Sequence, residues 1–99
     1  MTVNCRLIPF ANIVKVAGMV HLDDKTGTYT VYINTNVCDI HRRRAFGHEM
    51  AHIVLDHLNQ LNCGIMEQEA EANAIAWDMY RKYRNEYNAM LNGVKSFEI

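Results

Sequence analysis

Ninety-nine residues with a hydrophobic share of 49% suffice for one small domain and exclude a disordered chain. A formal net charge of −1 leaves no global field to draw in nucleic acid or an anionic membrane, and no apolar run approaches the roughly 20 residues needed to cross a bilayer. The opening MTVNCRLIPF has no basic stretch leading into an apolar segment, so no signal peptide is read there, and Cys5, Cys38 and Cys63 form no CxxC pair, which favours free thiols in a reducing, cytoplasmic setting over a disulfide framework.

With a single proline, Pro9, and no repeats or low-complexity tracts, the chain reads as one domain over residues 1–99. The stretch from Ile13 to Leu22 is β-branched and partly alternating. Asp23-Asp24-Lys25-Thr26-Gly27 is turn chemistry, and Thr28 to Asn34 is a strand by propensity. Tyr29, Val31 and Ile33 share one face of that strand, while Thr28, Thr30 and Tyr32 share the other. The pair predicts a β-hairpin closed by a five-residue loop.

The rest is helical in pattern. Asp39 is the expected N-cap of a helix over Ile40–Leu58, whose apolar residues include Phe46, Met50, Ile53, Val54 and Leu58. Asn62-Cys63-Gly64 reads as a break, with Cys63 in a loop, and an uninterrupted second helix is expected from Met66 to Leu91, stopped by Gly93. The fold class is therefore α+β: a small antiparallel sheet or hairpin followed by two main helices. Trp77, Tyr80, Tyr83, Tyr87, Met90 and Leu91 fall at three- and four-residue spacings, the mark of a core or partner-facing stripe. Arg42-Arg43-Arg44 reads as a solvated helix face paired with nearby acidic residues, not as a nucleic-acid site.

The chemistry concentrates in His48-Glu49-Met50-Ala51-His52. Histidines four apart on a helix project from one face and can meet one ion, while Glu49 stands about 100° round from His48. A zinc ion on three protein ligands keeps a position for water and lowers its pKa. Glu49 is placed to take that water's proton as general base and return it to the leaving amine. Histidines one turn apart also occur without any metal, so a third ligand decides the matter. A metzincin pattern, HExxHxxGxxH, is excluded because residue 55 is Leu and the next histidine, His57, follows His52 by five positions. Continued helix would carry His57 about 140° away from His52, and it is not expected to ligate. The alternative is a carboxylate from the second helix, which opens with Glu67, Glu69 and Glu71. Glu67 and Glu71 share a face and Glu69 does not, and acidic residues in a first turn also complement the helix dipole. The small residues of Glu71-Ala72-Asn73-Ala74-Ile75-Ala76 would let two helices approach closely.

Three ordered blocks, Tyr32-Ile33-Asn34, then Arg44 through His57 containing the HExxH, then Glu69-Ala70-Glu71-Ala72-Asn73-Ala74-Ile75-Ala76, resemble the ImmA/IrrE family of zinc metallopeptidases over roughly residues 28–80. The resemblance implies a zincin-like core with Zn2+ held by His48, His52 and Glu71, and Glu49 as catalytic base. Glu67 and Glu69 stand as alternatives to Glu71. Asn73 is either a group that orients a ligand or a helix-packing residue. The resemblance also implies a protein substrate such as a helix-turn-helix repressor of a phage or mobile element, and an edge strand for that substrate to pair with, for which Thr28–Asn34 is a candidate. Tyr80 and Tyr83 are candidate oxyanion donors by analogy with other zinc peptidases. The chain departs from the family pattern at Ile75, where a Phe is usual, and over Arg81–Asn85, which lack the usual proline. It reads as a minimal version of the domain, and the competing function is a zinc-stabilised interaction module that binds its partner without cutting it.

Overall fold

The computed structural model describes residues 1–11, 16–60 and 64–99. In chain order it contains β1 (Thr2–Ile8), β2 (Gly18–Asp23), β3 (Thr28–Asn34), α1 (Asp39–Val54), a 3-10 turn (His57–Asn59), α2 (Ile65–Lys82), α3 (Arg84–Leu91) and β4 (Ser96–Glu98). The architecture is α+β as expected, with α1 packed on one sheet and α2 packed on α1. That sheet has the order β2-β3-β1-β4 and is mixed: β3 pairs antiparallel with β2 but parallel with β1, and β1 pairs antiparallel with β4. The expected antiparallel hairpin is thus half of the sheet. The other half comes from the two ends of the chain, where no turn signal links a strand to its partner.

The predicted first strand begins at Gly18. Its earlier residues Ile13, Val14 and Lys15 lie outside the described residues, as do Asn62 and Cys63 of the predicted break. β3 is an interior strand and not the expected edge; the edge strands are β2 and β4. The face predicted for β3 is the buried one. Tyr29, Val31 and Ile33 stand beside Val3, Cys5 and Leu7 of β1, and Phe46, Met50 and Ile53 of α1 complete the core. Burial pushes the Cys5 thiol up to about 11, which makes it a small apolar residue in practice.

At the end of β3, Asn34 is wholly buried and hydrogen-bonded through both its amide oxygen and its amide nitrogen. Its Oδ1 accepts from the backbone N–H groups of Phe10 (3.1 Å) and Asn36 (2.9 Å), and its Nδ2 donates to the Val16 carbonyl (2.9 Å). One amide side chain thereby ties the segment after β1, the entry to β2 and the turn after β3, supplying partners that irregular backbone would otherwise lack.

Asp39 is the first residue of α1 and not its cap; Cys38 occupies the cap position and makes no side-chain bond there. The Asp39 carboxylate instead pairs with Arg43 at 2.7 Å and accepts from the Tyr87 hydroxyl at 3.2 Å. Burial, and then Asp39, push the Tyr87 phenol up to about 12. The three arginines have three uses. Arg42 donates to the carbonyls of Val37 (2.7 Å) and Thr35 (2.8 Å), Arg43 pairs with Asp39, and Arg44 donates to Asn73 Oδ1 across the helix pair (3.2 Å). The helix predicted over 66–91 is interrupted at Tyr83, which leaves helical geometry for one residue (φ −108, ψ 23) between α2 and α3. No proline or glycine marks the place. The aromatic stripe is mostly core: Tyr80, Tyr87 and Met90 are buried, with Tyr87 edge-on to Phe46 at 5.3 Å, while Leu91 is exposed. Gly93 ends α3 at φ 94, and Val94 N–H reaches back to Ala89 while Gly93 N–H bonds Met90, a Schellman stop.

α1 and α2 meet at unusually close range. A Cβ on Gly47 would collide with the carbonyl of Ala76 in α2, and Ala72 and Ala76 are themselves wholly buried. In a free helix Gly47→Ala would stabilise by about 0.5–1 kcal/mol. Here it is expected to destabilise by about 1–3 kcal/mol, the usual cost of overpacking. A urea melt with an unchanged or raised midpoint would contradict that close contact.

Candidate metal centre

The close helix contact brings the ligand-type side chains together. His48 and His52 project from one face of α1, with their Nε2 atoms 3.1 Å apart and their rings edge-on. Glu69 of α2 places Oε2 2.9 Å from His48 Nε2 and Oε1 3.0 Å from His52 Nε2. Among the described residues these three form the group able to hold a metal ion, their ligand atoms all within 4.8 Å of one another.

The donor set and its spacing fit zinc. Nitrogen and oxygen ligands at about 2.0–2.1 Å on a tetrahedral ion stand about 3.3 Å from one another; the two Nε2 atoms are 3.1 Å apart, and each meets its own oxygen of the Glu69 carboxylate, at 2.9 and 3.0 Å. Burial lowers the His52 pKa, and the neighbouring His48 and His57 lower it further against the pull of Glu69. The neutral imidazole that a metal requires is therefore the favoured form.

Glu49 lies beside this triangle and is buried. Loss of solvent, and then the negative charge of Glu69, push its carboxyl up to about 8. The two glutamates thus occupy different surroundings: Glu69 is half-exposed and faces two imidazoles, whereas Glu49 has no cationic partner among the described residues.

The structure does not bring Glu71 to the histidine pair. It is exposed, and its Oε1 lies 3.5 Å from His57 Nε2. Glu67 sits in the first turn of α2 against Gly64. The position of Glu69 follows from the buried stripe of α2. Ala72, Ala76 and Tyr80 recur every four residues, and Glu69, three residues before Ala72, borders the face they bury. That signal is present in the sequence, and weighing the three glutamates only against one another misses it.

His57 also stands elsewhere than continued helix would put it. α1 ends at Leu55, Asp56 adopts the left-handed conformation (φ 57, ψ 34), and the turn swings His57 back until its Nδ1 is 2.9 Å from His52 Nδ1. Asn73 contacts Arg44 and no histidine in its hydrogen bonding. Tyr80 packs in the core beside Trp77 and Tyr87, and neither Tyr80 nor Tyr83 lines the space in front of the cluster. That space is an open cleft of about 780 Å³, with Gly18, Met19 and Val20 of β2 on one wall and His48, Glu49 and Glu69 at its floor; its further polar lining includes His41, Arg44 and Asn73.

The family model of Peptidase M78, described as the IrrE N-terminal-like domain, matches residues 10–90. No curated protein and no solved structure gave a match.

Glu69→Ala is expected to abolish stoichiometric zinc binding, whereas Glu71→Ala is expected to keep one zinc per chain. Elemental analysis after dialysis reads both, and the reverse pattern would return the ligand role to Glu71.

Proposed function

The chain belongs to the family of the IrrE N-terminal-like domain, a peptidase family, and from that premise we propose that it is a zinc-dependent peptidase acting on a protein substrate. The observation that carries the reading is the ligand triangle of His48, His52 and Glu69 with a buried glutamate, Glu49, beside it at the floor of a cleft. When bound, zinc supplies Lewis-acid polarisation and a more acidic attacking water.

The chain's own residues supply the rest. His48, His52 and Glu69 hold the ion on two helices, with ligands from both. Glu49 accepts the proton of the attacking water and returns it to the leaving nitrogen. To serve as base it must first release its own proton, and offsetting the charge of Glu69 removes one of the two causes that hold that proton on. β2 is the edge strand on the cleft wall, so an extended substrate can add to it through backbone hydrogen bonds while its scissile bond lies over the floor.

The substrate class we propose is a helix-turn-helix repressor of a phage or mobile element, in keeping with the resemblance of the HExxH and Glu-Ala-Asn blocks to the ImmA/IrrE proteins. The setting we propose is cytoplasmic, consistent with free thiols at Cys5 and Cys38; among the described residues no helix is long and apolar enough to cross a membrane.

Glu49→Gln is expected to retain zinc and to lose proteolysis by about 10²–10⁴-fold, the range for removing a general acid–base group. The measurement is mass-spectrometric detection of new peptide termini in a candidate repressor incubated with zinc-loaded protein. Equal cleavage by the variant would remove Glu49 from the mechanism. A zinc-loaded wild type that binds the repressor and leaves it intact would favour the non-catalytic interaction module.

A further inference from the structure

We infer that His57 and Glu71 form a positioning relay behind His52, fixing it in the tautomer that carries its proton on Nδ1 and presents a bare Nε2 to the ion. The inference rests on the metal reading of the His48, His52 and Glu69 cluster.

The argument is one of proton accounting. His52 Nδ1 and His57 Nδ1 are 2.9 Å apart, so one of them carries the proton between them. If His57 were the donor, its Nε2 in the neutral ring would be a lone pair turned towards Glu71 Oε1, 3.5 Å away. Two acceptors would then face each other. If His52 is the donor, the conflict at Glu71 disappears. His52 Nδ1–H donates to His57 Nδ1, and His57 carries its own proton on Nε2, directed at the Glu71 carboxylate. His52 Nε2 is then left without a proton where it meets His48 Nε2 and Glu69 Oε1, and that meeting of acceptors is one a cation between them reconciles. The outer contacts thus select the ring form that a metal needs.

The relay is built into the backbone. The left-handed residue Asp56 is what turns His57 back towards His52, and Asp tolerates that conformation better than most residues. Asn59 holds the turn, its Nδ2 donating to Asp56 Oδ1 at 2.7 Å and its N–H to the Asp56 carbonyl at 3.2 Å. From α2, Gln68 Nε2 donates to the His57 carbonyl at 3.0 Å, anchoring the same residue. His57 is 4% exposed, so water does not compete for its ring. Two carboxylates of α2 therefore serve one histidine row: Glu69 faces the ligand nitrogens, and Glu71 acts through His57.

The test uses the full chain and zinc itself. Zinc affinity is measured by competition with a chromophoric chelator for wild type, His57→Leu, His57→Asn and Glu71→Gln, each checked for native circular dichroism. The ring tautomers of zinc-loaded wild type are read from long-range imidazole 1H–15N spectra. His57→Leu is expected to weaken binding by about 10–100-fold, the span for losing an outer hydrogen-bond partner of a ligand. His57→Asn keeps an acceptor near the Nδ1 position and is expected to recover much of that loss, while Glu71→Gln falls at the low end of the span. The wild-type spectrum is expected to show His52 protonated on Nδ1 and bound through Nε2. A folded His57→Leu that binds zinc like wild type overturns the relay, as does a His52 proton on Nε2. Should His57→Leu not fold, His57→Asn, Glu71→Gln and the wild-type tautomer decide. Wild type that binds no zinc refutes the metal reading itself, a result distinct from zinc bound without help from His57.

Discussion

The arrangement depends on how closely α1 and α2 approach. Glu69 reaches His48 and His52 at about hydrogen-bond distance only because Gly47 lets α1 lie against the backbone of Ala76. Helix axes usually lie about 8–10 Å apart according to the side chains between them, and glycine against alanine sets the short end of that range. α1 is held from its other side as well. Phe46, Met50 and Ile53 lock it to the core formed with β1 and β3, so the histidine pair cannot retreat from Glu69 without unpacking the core. The site is rigid because its helix is packed on two sides, and the residues doing the packing bear no chemistry of their own.

That division explains what could be read from the sequence. Side chains that repeat with a helical or strand period announce themselves. The β3 face Tyr29, Val31, Ile33, the α1 row Phe46, Met50, Ile53, and the HExxH pair were all legible because each is a local pattern. The stop at Gly93 was legible because positive φ is chemically costly elsewhere. What escaped was non-local. β1 and β4 lie at the two ends of the chain and pair with each other, and β1 runs parallel to β3, so no hairpin turn announces either relationship. The Tyr83 interruption carries no breaker residue. Asp39 resembles a cap, but its carboxylate is committed to Arg43 and Tyr87, the latter 48 positions away in sequence.

The candidate third ligand shows the same limit at the scale of a single helix. Rotation about α2 separates Glu69 from Glu67 and Glu71, yet it does not say which side faces α1. The buried row Ala72, Ala76, Tyr80 does say so, and Glu69, three residues before Ala72, lies at its border. A resemblance anchored on Glu-Ala-Asn selects the glutamate adjacent in sequence, whereas the packing selects the one a full turn before Asn73. His57 failed for a different reason. Its expected direction assumed continued helix, and one left-handed residue at Asp56 reversed it. A histidine not expected to ligate thereby stands directly behind His52, a candidate ligand.

Glu49 and Glu69 show how one small site obtains two kinds of carboxylate. Glu69 is open to solvent on one side and faces two imidazoles on the other, surroundings that offset a negative charge. Glu49, one residue from His48, lies in the interior with Glu69 as its main charged neighbour, and both influences keep its proton on up to about 8. Separate environments give like groups separate roles, as in other enzymes that use paired carboxylates. The coupling runs through charge: whatever neutralises Glu69 also eases the release of the Glu49 proton. In this geometry the residue that would hold the ion and the residue that would act as base are electrostatically linked, so a cation in the triangle would ready the base.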